Sequence, residues 1–234
     1  MSSREKDLAR LVRDSYGTDQ ALRQFGDRVS QGLRTWEDSV IRDAFPEDGI
    51  VAVVGCGAGR ELFSLQARGY STFGLDISRP LLDRARQIAT SMRVSARLAA
   101  MDGGQLPLGD RSVDVVTLWS QLLGNVSGAG MRRALLSEVF RVLRPGGTVS
   151  FSVHDRSRTL PMLDLDKTSC WDEPEVGDFL LREEGEQTTR YWHYFDEDEV
   201  VGLCQVAGFG SIEVSHTSDL GERWDNVFVA VATR

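Results

Sequence analysis

The segment from Val51 to Glu61 constrains the fold of this chain more than any other. It reads VAVVGCGAGRE, so that an apolar run leads directly into three glycines, Gly55, Gly57 and Gly59. An apolar run that ends in glycines is typical of a buried strand followed by a tight turn, and a turn without Cβ atoms lets a ligand approach the main chain. A helical pattern follows at once, and the amino end of a helix offers free backbone N–H groups. The segment therefore predicts a strand, a turn and a helix of a parallel α/β sheet, with a cofactor site at the turn.

A carboxylate marks the end of the next predicted strand. Asp76 follows Gly55 by twenty-one residues, in the segment Ser71–Ser78. A carboxylate at this place can accept hydrogen bonds from both hydroxyls of a ribose, so the pattern predicts a nucleoside cofactor. A dinucleotide-binding turn needs a further glycine where this chain has Arg60, which leaves a nicotinamide dehydrogenase as a distant alternative.

Three later segments extend the pattern. They are Ala99–Gly103, Leu106–Leu118 and Leu143–Gly147, the last of which ends a helix before the fifth predicted strand. Together with the glycine turn, and in this order, they resemble the class I S-adenosylmethionine (SAM) dependent methyltransferases. The resemblance covers about residues 50 to 153. It implies a Rossmann-like α/β fold with a seven-stranded sheet of order 3-2-1-4-5-7-6, in which strand 7 is antiparallel. It also implies SAM as the cofactor and S-adenosylhomocysteine as the product.

One position departs from the family pattern. Family members usually carry an acidic residue two positions before the first glycine, where it helps to hold the turn and the methionine end of the cofactor. This chain has Val53 there. The loss can weaken the affinity for the cofactor, and it keeps a non-catalytic SAM-binding protein as an alternative.

The 234 residues are expected to form one domain. From residue 50 onward strands and helices alternate, which favours a parallel sheet with helices on both faces. We predict four parts: N-terminal helices over 1–48, a SAM-binding core over 49–154, a cap on the substrate site over 155–195, and the C-terminal part of the sheet over 196–234.

The resemblance assigns a set of cofactor-binding residues. They are Tyr16, Gly55, Cys56, Gly57, Gly59, Asp76, Ile77, Asp102, Gly103, Trp119 and Ser120. The amides of the glycine turn are expected to face the methionine portion, Asp76 the ribose, and Ile77 one face of the adenine. Asp102 is expected to meet the exocyclic adenine amine, and Tyr16 to close over the cofactor. The thiol of Cys56 is expected to pack rather than react, because the sequence places no base beside it.

The acceptor site follows from the rule that ligands of open α/β sheets lie at the carboxyl ends of the strands. We predict Gln121, Arg190 and Tyr191 as substrate-binding residues. Transfer to a hydroxyl or an ammonium releases a proton, and histidine titrates near neutral pH. His154 at the end of the fifth strand and His193 in an aromatic segment are therefore the candidate catalytic residues. Alternation would place Tyr191 and His193 on one face of that segment and Arg190 on the other.

Composition and charge narrow the classes of partner that the chain is expected to bind. The net charge of −8 and the sequence pI of about 5.0 oppose binding to polyphosphate backbones and to anionic membranes. The chain has three cysteines, opens without a secretion-signal pattern and has no apolar run of about 18 residues, so we expect a reduced, cytoplasmic protein. Cysteine and histidine never fall at metal-ligand spacing, and no metal is expected.

These observations favour a SAM-dependent methyltransferase that acts on N or O of a small molecule. Residues 155–190 contain ten acids against five bases, which favours an amine-bearing acceptor, and the arginine-rich composition favours specialised metabolism. The segment Arg190–Phe195 also resembles tRNA wobble-uridine carboxyl methyltransferases, so a tRNA-modifying enzyme is the first alternative. The sequence leaves open the acceptor, the methylated atom and the oligomeric state.

Overall fold

The computed structural model describes residues 3–101, 104–163, 168–169, 175–182 and 189–234. Within these ranges the helices are α1 Ser3–Ser15, α2 Asp19–Arg28, α3 Thr35–Ala44, α4 Arg60–Ala67, α5 Arg79–Met92, α6 Ala129–Val142, α7 Arg156–Thr159 and α8 Glu197–Ala207. Short 3-10 helices span Val29–Gln31, Leu122–Asn125, Leu160–Met162 and Thr217–Leu220. The strands are β1 Ile50–Val54, β2 Ser71–Asp76, β3 Arg97–Ala100, β4 Val113–Leu118, β5 Leu143–His154, β6 Thr168–Ser169, β7 Asp178–Arg182, β8 Thr189–His193, β9 Ile212–His216 and β10 Val227–Thr233. None of the helices in these ranges is long and apolar enough to cross a bilayer.

A seven-stranded sheet forms the centre of the fold. Its order is β3-β2-β1-β4-β5-β10-β9, in which β1 to β5 run parallel and β10 runs antiparallel to both β5 and β9. With β9 and β10 as its sixth and seventh strands, the sheet has the predicted order 3-2-1-4-5-7-6, and the predicted fold is confirmed. Because β1, β2, β4 and β5 are parallel, their carboxyl ends meet at the edge where the site is predicted.

Local signals set most of the element boundaries. Ser78 caps α5 as its position predicts, because its hydroxyl accepts a hydrogen bond from the N–H of Leu81 at 3.4 Å. The strand β5 differs from the prediction, since it begins at Leu143 rather than at Thr148. Leu143 already pairs with Val113 of β4, and the register shifts at a bulge before the pairing continues.

Apolar side chains cover both faces of the sheet. On β1, Ala52 and Val54 face a buried cluster that includes side chains of α6 and α8. Val51 and Val53 face a second cluster, which includes side chains of α3, α4 and α5. Burial of apolar surface contributes about 25 cal/mol per Å² to folding, so these two layers hold the strands and the loops at their carboxyl ends in place.

The chain between β5 and α8 contains an antiparallel three-stranded sheet of order β6-β7-β8. Asp155 and Phe195 form a parallel bridge at the two ends of this insertion, and the N–H of Phe195 donates to the His154 carbonyl at 2.9 Å. The insertion therefore leaves and rejoins the central sheet at the carboxyl end of β5. Its strand β8 packs against α1, so the insertion and the N-terminal helices meet above the predicted site.

Candidate functional site

A cavity of about 580 Å³ opens at the carboxyl ends of the parallel strands. Its volume lies within the range of about 300–1,000 Å³ that is usual for small-ligand pockets. The predicted cofactor residues that line it are Tyr16, Gly55, Gly57, Asp76, Ile77, Trp119 and Ser120. Gln121, His154 and Arg190 of the predicted acceptor site line it as well. Asp102 and Gly103 lie outside the described residues.

The backbone amides of the glycine turn donate hydrogen bonds to acceptors within the protein. The N–H groups of Gly55 and Cys56 both donate to the carbonyl of Leu75, at 2.7 and 3.0 Å. The N–H of Gly59 donates to the Cys56 carbonyl at 2.8 Å. The expectation that these amides face the cofactor is therefore corrected. What Gly55 and Gly57 present to the cavity is a main-chain surface without Cβ atoms.

Cys56 and Gly59 shape the turn from outside the cavity lining. Gly59 has a φ of 102° at the start of α4, and a Cβ there would lie 2.4 Å from the ring of Phe63. The Cys56 side chain is buried in the apolar cluster below the turn, and burial raises the pKa of its thiol well above the usual range. Packing accounts for the presence of both residues at these positions. Neither position supports the predicted contact with the cofactor.

The Asp76 carboxylate joins the two loops that border the cavity. One oxygen accepts the N–H of Gly57 at 2.7 Å, and the other accepts the N–H of Ser78 at 2.8 Å. Burial raises the pKa of this carboxyl even though these hydrogen bonds act in the opposite direction. Each carboxylate oxygen has a further lone pair, so the group can still accept hydroxyl donors from a ribose.

The junction of α1 and α2 covers this part of the cavity. The hydroxyl of Tyr16 donates to the side-chain oxygen of Asn125 at 3.3 Å, and its ring meets Phe25 edge-on at 5.6 Å. Burial raises the pKa of Tyr16 to about 12, so the hydroxyl stays protonated. The Ser78 hydroxyl donates to the Tyr16 carbonyl at 3.2 Å, which ties the cover to α5. Tyr16 is thus placed where a residue that closes over the cofactor would be.

Strained backbone follows β4. Ser120 and Gln121 have φ values of 56° and 58°, in the left-handed region that costs residues other than glycine about 1–3 kcal/mol each. Ser152 of β5 supports the turn, because its hydroxyl oxygen accepts both the backbone N–H and the side-chain amide of Gln121, at 3.2 and 3.3 Å. Trp119 donates its indole N–H to Ser150 at 2.9 Å. Strain of this kind is common where a loop presents groups to a ligand.

His154 lies in an environment that keeps its ring uncharged. Its ring lies between those of Trp192 and Tyr194, with centroid distances of 5.3 and 5.6 Å. Burial lowers the pKa of His154 to about 4, and a backbone hydrogen bond with Asn226 offsets only part of the shift. Its Nδ1 atom is buried and has no hydrogen-bond partner among the residues that the structure describes. The imidazole is therefore uncharged near neutral pH, and its ring lines the cavity while its Nδ1 stays buried.

His193 and Tyr191 face away from the cavity, and the roles predicted for them are corrected. The Nδ1 of His193 lies 2.6 Å from Asp178, and its Nε2 lies 3.0 Å from Glu199. Burial alone would lower the pKa of His193, but these two carboxylates raise it above the ordinary value. Tyr191 donates its hydroxyl to Asp178 at 2.7 Å. A protonated imidazole held between two carboxylates cannot take a proton from an acceptor.

Arg132 completes this buried network. Its guanidinium pairs with Glu175 and, at 3.4 Å, with Glu199. Ligand atoms of Glu175, Asp178 and His193 lie within 4.8 Å of one another, a spacing that a metal ion could use. The same atoms already hydrogen bond to neighbouring side chains or to the Arg132 guanidinium, so an ion network accounts for them. The absence of a metal stays a prediction.

A second ion cluster lies behind the glycine turn. Arg60 pairs with Glu37 at 2.6 Å and with Glu61 at 2.5 Å, and the hydroxyl of Ser120 donates to Glu61 at 2.9 Å. The cluster links α3 and α4 to the turn after β4, which gives the Arg60 side chain a structural role. Val53, at the position where the family usually carries an acid, packs in the apolar cluster.

Several cavity residues were missed by the sequence reasoning. Trp192 lines the cavity next to Arg190, and the alternation of β8 was a signal that could have found it. Asn125, Arg28 and Arg34 also line the cavity. They lie in segments without a motif, and only the packing of the N-terminal helices brings the two arginines to the site.

The sequence of this core is similar to the sequences of known proteins. The family profile described as a methyltransferase domain matches residues 51–147. The malonyl-[acyl-carrier protein] O-methyltransferase of Salmonella typhimurium is 30% identical over 149 residues, covering 64% of this chain and 56% of that protein. The dimethylglycine N-methyltransferase of Parasynechococcus marenigrum is 30% identical over 139 residues, covering 57% of this chain and 46% of that protein. The chain thus spans about half the length of these relatives.

Solved structures share the fold. A SAM-dependent methyltransferase from Methanosarcina mazei has a TM-score of 0.67 at 26% identity, covering 83% of this chain and 96% of its own. The 1,6-didemethyltoxoflavin-N1-methyltransferase of Burkholderia thailandensis, solved with its substrate and S-adenosylhomocysteine, has a TM-score of 0.68 at 16% identity, covering 100% of this chain and 91% of its own. With the glycine turn, the sheet order and the sequence matches in agreement, the predicted resemblance to the class I SAM-dependent methyltransferases and the predicted cofactor are confirmed.

Proposed function

We propose that this chain transfers the methyl group of SAM to a nitrogen or an oxygen of a small molecule. The observation that carries the proposal is that one cavity brings the glycine turn and Asp76 together with Gln121 and His154. The relatives include one O-methyltransferase and one N-methyltransferase, which supports transfer to either atom. A role in specialised metabolism and a cytoplasmic location stay predictions.

The residues of the cavity divide into two groups. Gly55, Gly57, Asp76 and Ile77 would hold the nucleoside and the chain attached to it, with Tyr16 as the cover. Trp119 and Ser120, which are predicted to bind the cofactor, precede Gln121 on the turn after β4, and Gln121 and His154 border the remaining space, where the acceptor would lie. Bound SAM supplies a methyl carbon on a sulfonium, whose sulfur leaves with the C–S electron pair as the acceptor's lone pair forms the new bond.

The protein contributes mainly alignment to this step. Holding two reactants in line can supply up to about 7–11 kcal/mol of the barrier. The strained turn at Ser120 and Gln121 fixes the acceptor side of the cavity. The uncharged ring of His154 borders the acceptor side of the cavity, where it can contact the acceptor without adding a charge. A proton released on transfer would pass to water rather than to His154, because a group with a pKa of about 4 does not retain it near neutral pH.

Cofactor binding tests the first half of the proposal. We expect Asp76→Asn to weaken S-adenosylhomocysteine binding by about tenfold or more in isothermal titration calorimetry, since it removes the charge behind the ribose hydrogen bonds. Asp83→Asn, on an exposed part of α5, is the matched control and should bind like the wild type. Equal affinities for the Asp76 variant and the wild type would refute the site assignment.

Turnover tests whether the chain transfers the methyl group to a small molecule. We expect the wild type to convert SAM to S-adenosylhomocysteine when it is supplied with the small-molecule filtrate of a bacterial extract, and Asp76→Asn to do so more slowly. Cofactor binding without turnover on any fraction would favour the non-catalytic alternative.

A further inference from the structure

The cavity has a charge that is opposite to that of the whole chain. Although the net charge is −8, six cationic side chains line the cavity: Lys6, Arg10, Arg13, Arg28, Arg34 and Arg190. Among the lining residues that the structure describes, Asp76 carries the one carboxylate. A cleft lined by one sign of charge raises the local concentration of ligands of the opposite sign.

The cofactor does not balance this charge. SAM has one carboxylate, one ammonium and one sulfonium, so it adds a net positive charge to a cavity that is already cationic. One lining cation is enough for its carboxylate. The cations that concern the acceptor are Arg28 and Arg34, and an inference about the acceptor rests on the proposed function.

Two arginines of the lining are held in place by rings. The guanidinium of Arg28 lies 5.3 Å from the centre of the Phe25 ring, and that of Arg34 lies 5.1 Å from the Trp224 ring. Within the described ranges, neither guanidinium forms an ion pair with a carboxylate. Burial lowers the pKa of Arg28, and the charges of Arg34 and other nearby arginines lower it further. An anion would relieve this repulsion.

Arg34 also stands where the main cavity meets a smaller one of about 290 Å³. The two cavities share Arg34, Gln121 and His154. Trp36 and Trp224 line the smaller cavity as well. At this junction the guanidinium fork of Arg34 and the His154 ring both border the space that a ligand could occupy. The planar fork of arginine matches the two oxygens of a carboxylate.

We propose that the methyl acceptor is a small molecule that carries a carboxylate, which Arg34 binds where the two cavities meet. This replaces the amine-bearing acceptor that the acidic composition of residues 155–190 favours. The carboxylate balances the positive charge that the cofactor adds, and the shared position of His154 connects the anchored end to the cavity where the cofactor binds.

A pair of probes that differ in one charge tests the proposal. Indole-3-acetate and indole-3-acetamide are nearly identical in shape, and their affinities for the full chain would be measured by ligand-observed NMR, with and without saturating S-adenosylhomocysteine. We expect the acetate to bind at least about tenfold more tightly than the amide, because a charge-assisted bidentate contact is lost in the amide. Arg34→Gln should abolish this preference, and Arg34→Lys should restore part of it. Arg133→Gln, on an exposed part of α6, is the matched control and should keep the preference.

The outcomes distinguish a failure of the carboxylate anchor from a failure of the proposed function. Equal affinities of the two probes for the wild type, or an unchanged preference in Arg34→Gln, would overturn the carboxylate anchor. The affinity of Arg34→Gln for S-adenosylhomocysteine should stay within about twofold of the wild type, since Arg34 is assigned to the acceptor. A large loss of cofactor affinity in that variant would instead assign Arg34 to the cofactor carboxylate. Failure of the wild type to bind S-adenosylhomocysteine would refute the proposed function, while the preference in its absence would still decide the anchor.

Discussion

Two histidines of this chain have opposite protonation because their neighbours differ. His154 is buried among rings, and burial lowers its pKa to about 4. His193 is buried as well, but its contacts with Asp178 and Glu199 raise its pKa. The same residue type thus gives an uncharged ring at the cavity wall and a cation in a structural network.

Nitrogen NMR of the histidine rings would measure this difference. At about pH 6, close to the ordinary histidine pKa, long-range ¹H–¹⁵N spectra should show His154 as a neutral ring and His193 as a doubly protonated ring, beside the signals of the third histidine, His216. His154→Gln should remove the neutral ring signals, and His193→Gln should remove those of the cation. A doubly protonated His154 at this pH would contradict its assignment as a neutral ring.

At the scale of single residues, positions could be predicted from the sequence where a motif determines them. The turn with Gly55 and Gly57, and Asp76 at the end of β2, could be placed at the site because strand ends fix them. The choice between His154 and His193 could not be made from spacing. It depends on which carboxylates surround each ring, and Asp178 reaches His193 only through the pairing of β7 with β8.

At the scale of elements, β8 joins the cavity to the core. Arg190 and Trp192 line the cavity, whereas Tyr191 and His193 enter the buried network. Alternation along the segment was predicted, and the structure shows which face lines the cavity. The sequence could not show it, because the network also needs Arg132 of α6 and Glu199 of α8.

The stability of this network should depend on pH. The folded-state pKa of His193 is raised above its ordinary 6.5, so its stabilising contribution is complete below that pH and is lost as the pH rises through the folded value. The pKa of Asp178 is lowered from 3.8, so its contribution is present above that pH and is lost in stronger acid. His193→Gln should therefore lower the free energy of unfolding by about 2 kcal/mol near pH 6, and by less as the pH rises.

Urea unfolding at several pH values would measure the effect. Tyr191→Phe is the control, because it removes one hydrogen bond to Asp178 and should cost about 1 kcal/mol at each pH. If the difference between the wild type and His193→Gln stayed constant from acid to alkaline pH, His193 would not be the charged member of the network.

At the scale of the whole molecule, overall charge and cavity charge serve different partners. The net charge of −8 repels long polyanions at a distance, whereas the cations of the cavity act on a ligand that has entered it. The difference in sign between the net charge and the cavity charge could not be predicted from composition, because composition does not show which arginines the N-terminal helices bring together.

A tRNA-binding measurement would test this distinction. We expect no retention of tRNA by the wild type in filter binding at physiological salt, because a tRNA enzyme must contact several phosphates and its affinity falls steeply with salt. Micromolar, salt-sensitive retention that Lys6→Gln and Arg10→Gln abolish would make the tRNA alternative the leading function.

The pleat of β8 also bears on how this protein could change over evolutionary time. Residues that line the cavity and residues that hold the fold together alternate along this strand, with Arg190 and Trp192 in the first group and Tyr191 and His193 in the second. Point substitutions on the ligand side leave the buried side intact, so new acceptors can be explored without unfolding the scaffold. A single-residue insertion in the strand would exchange the two faces and lose both functions at once.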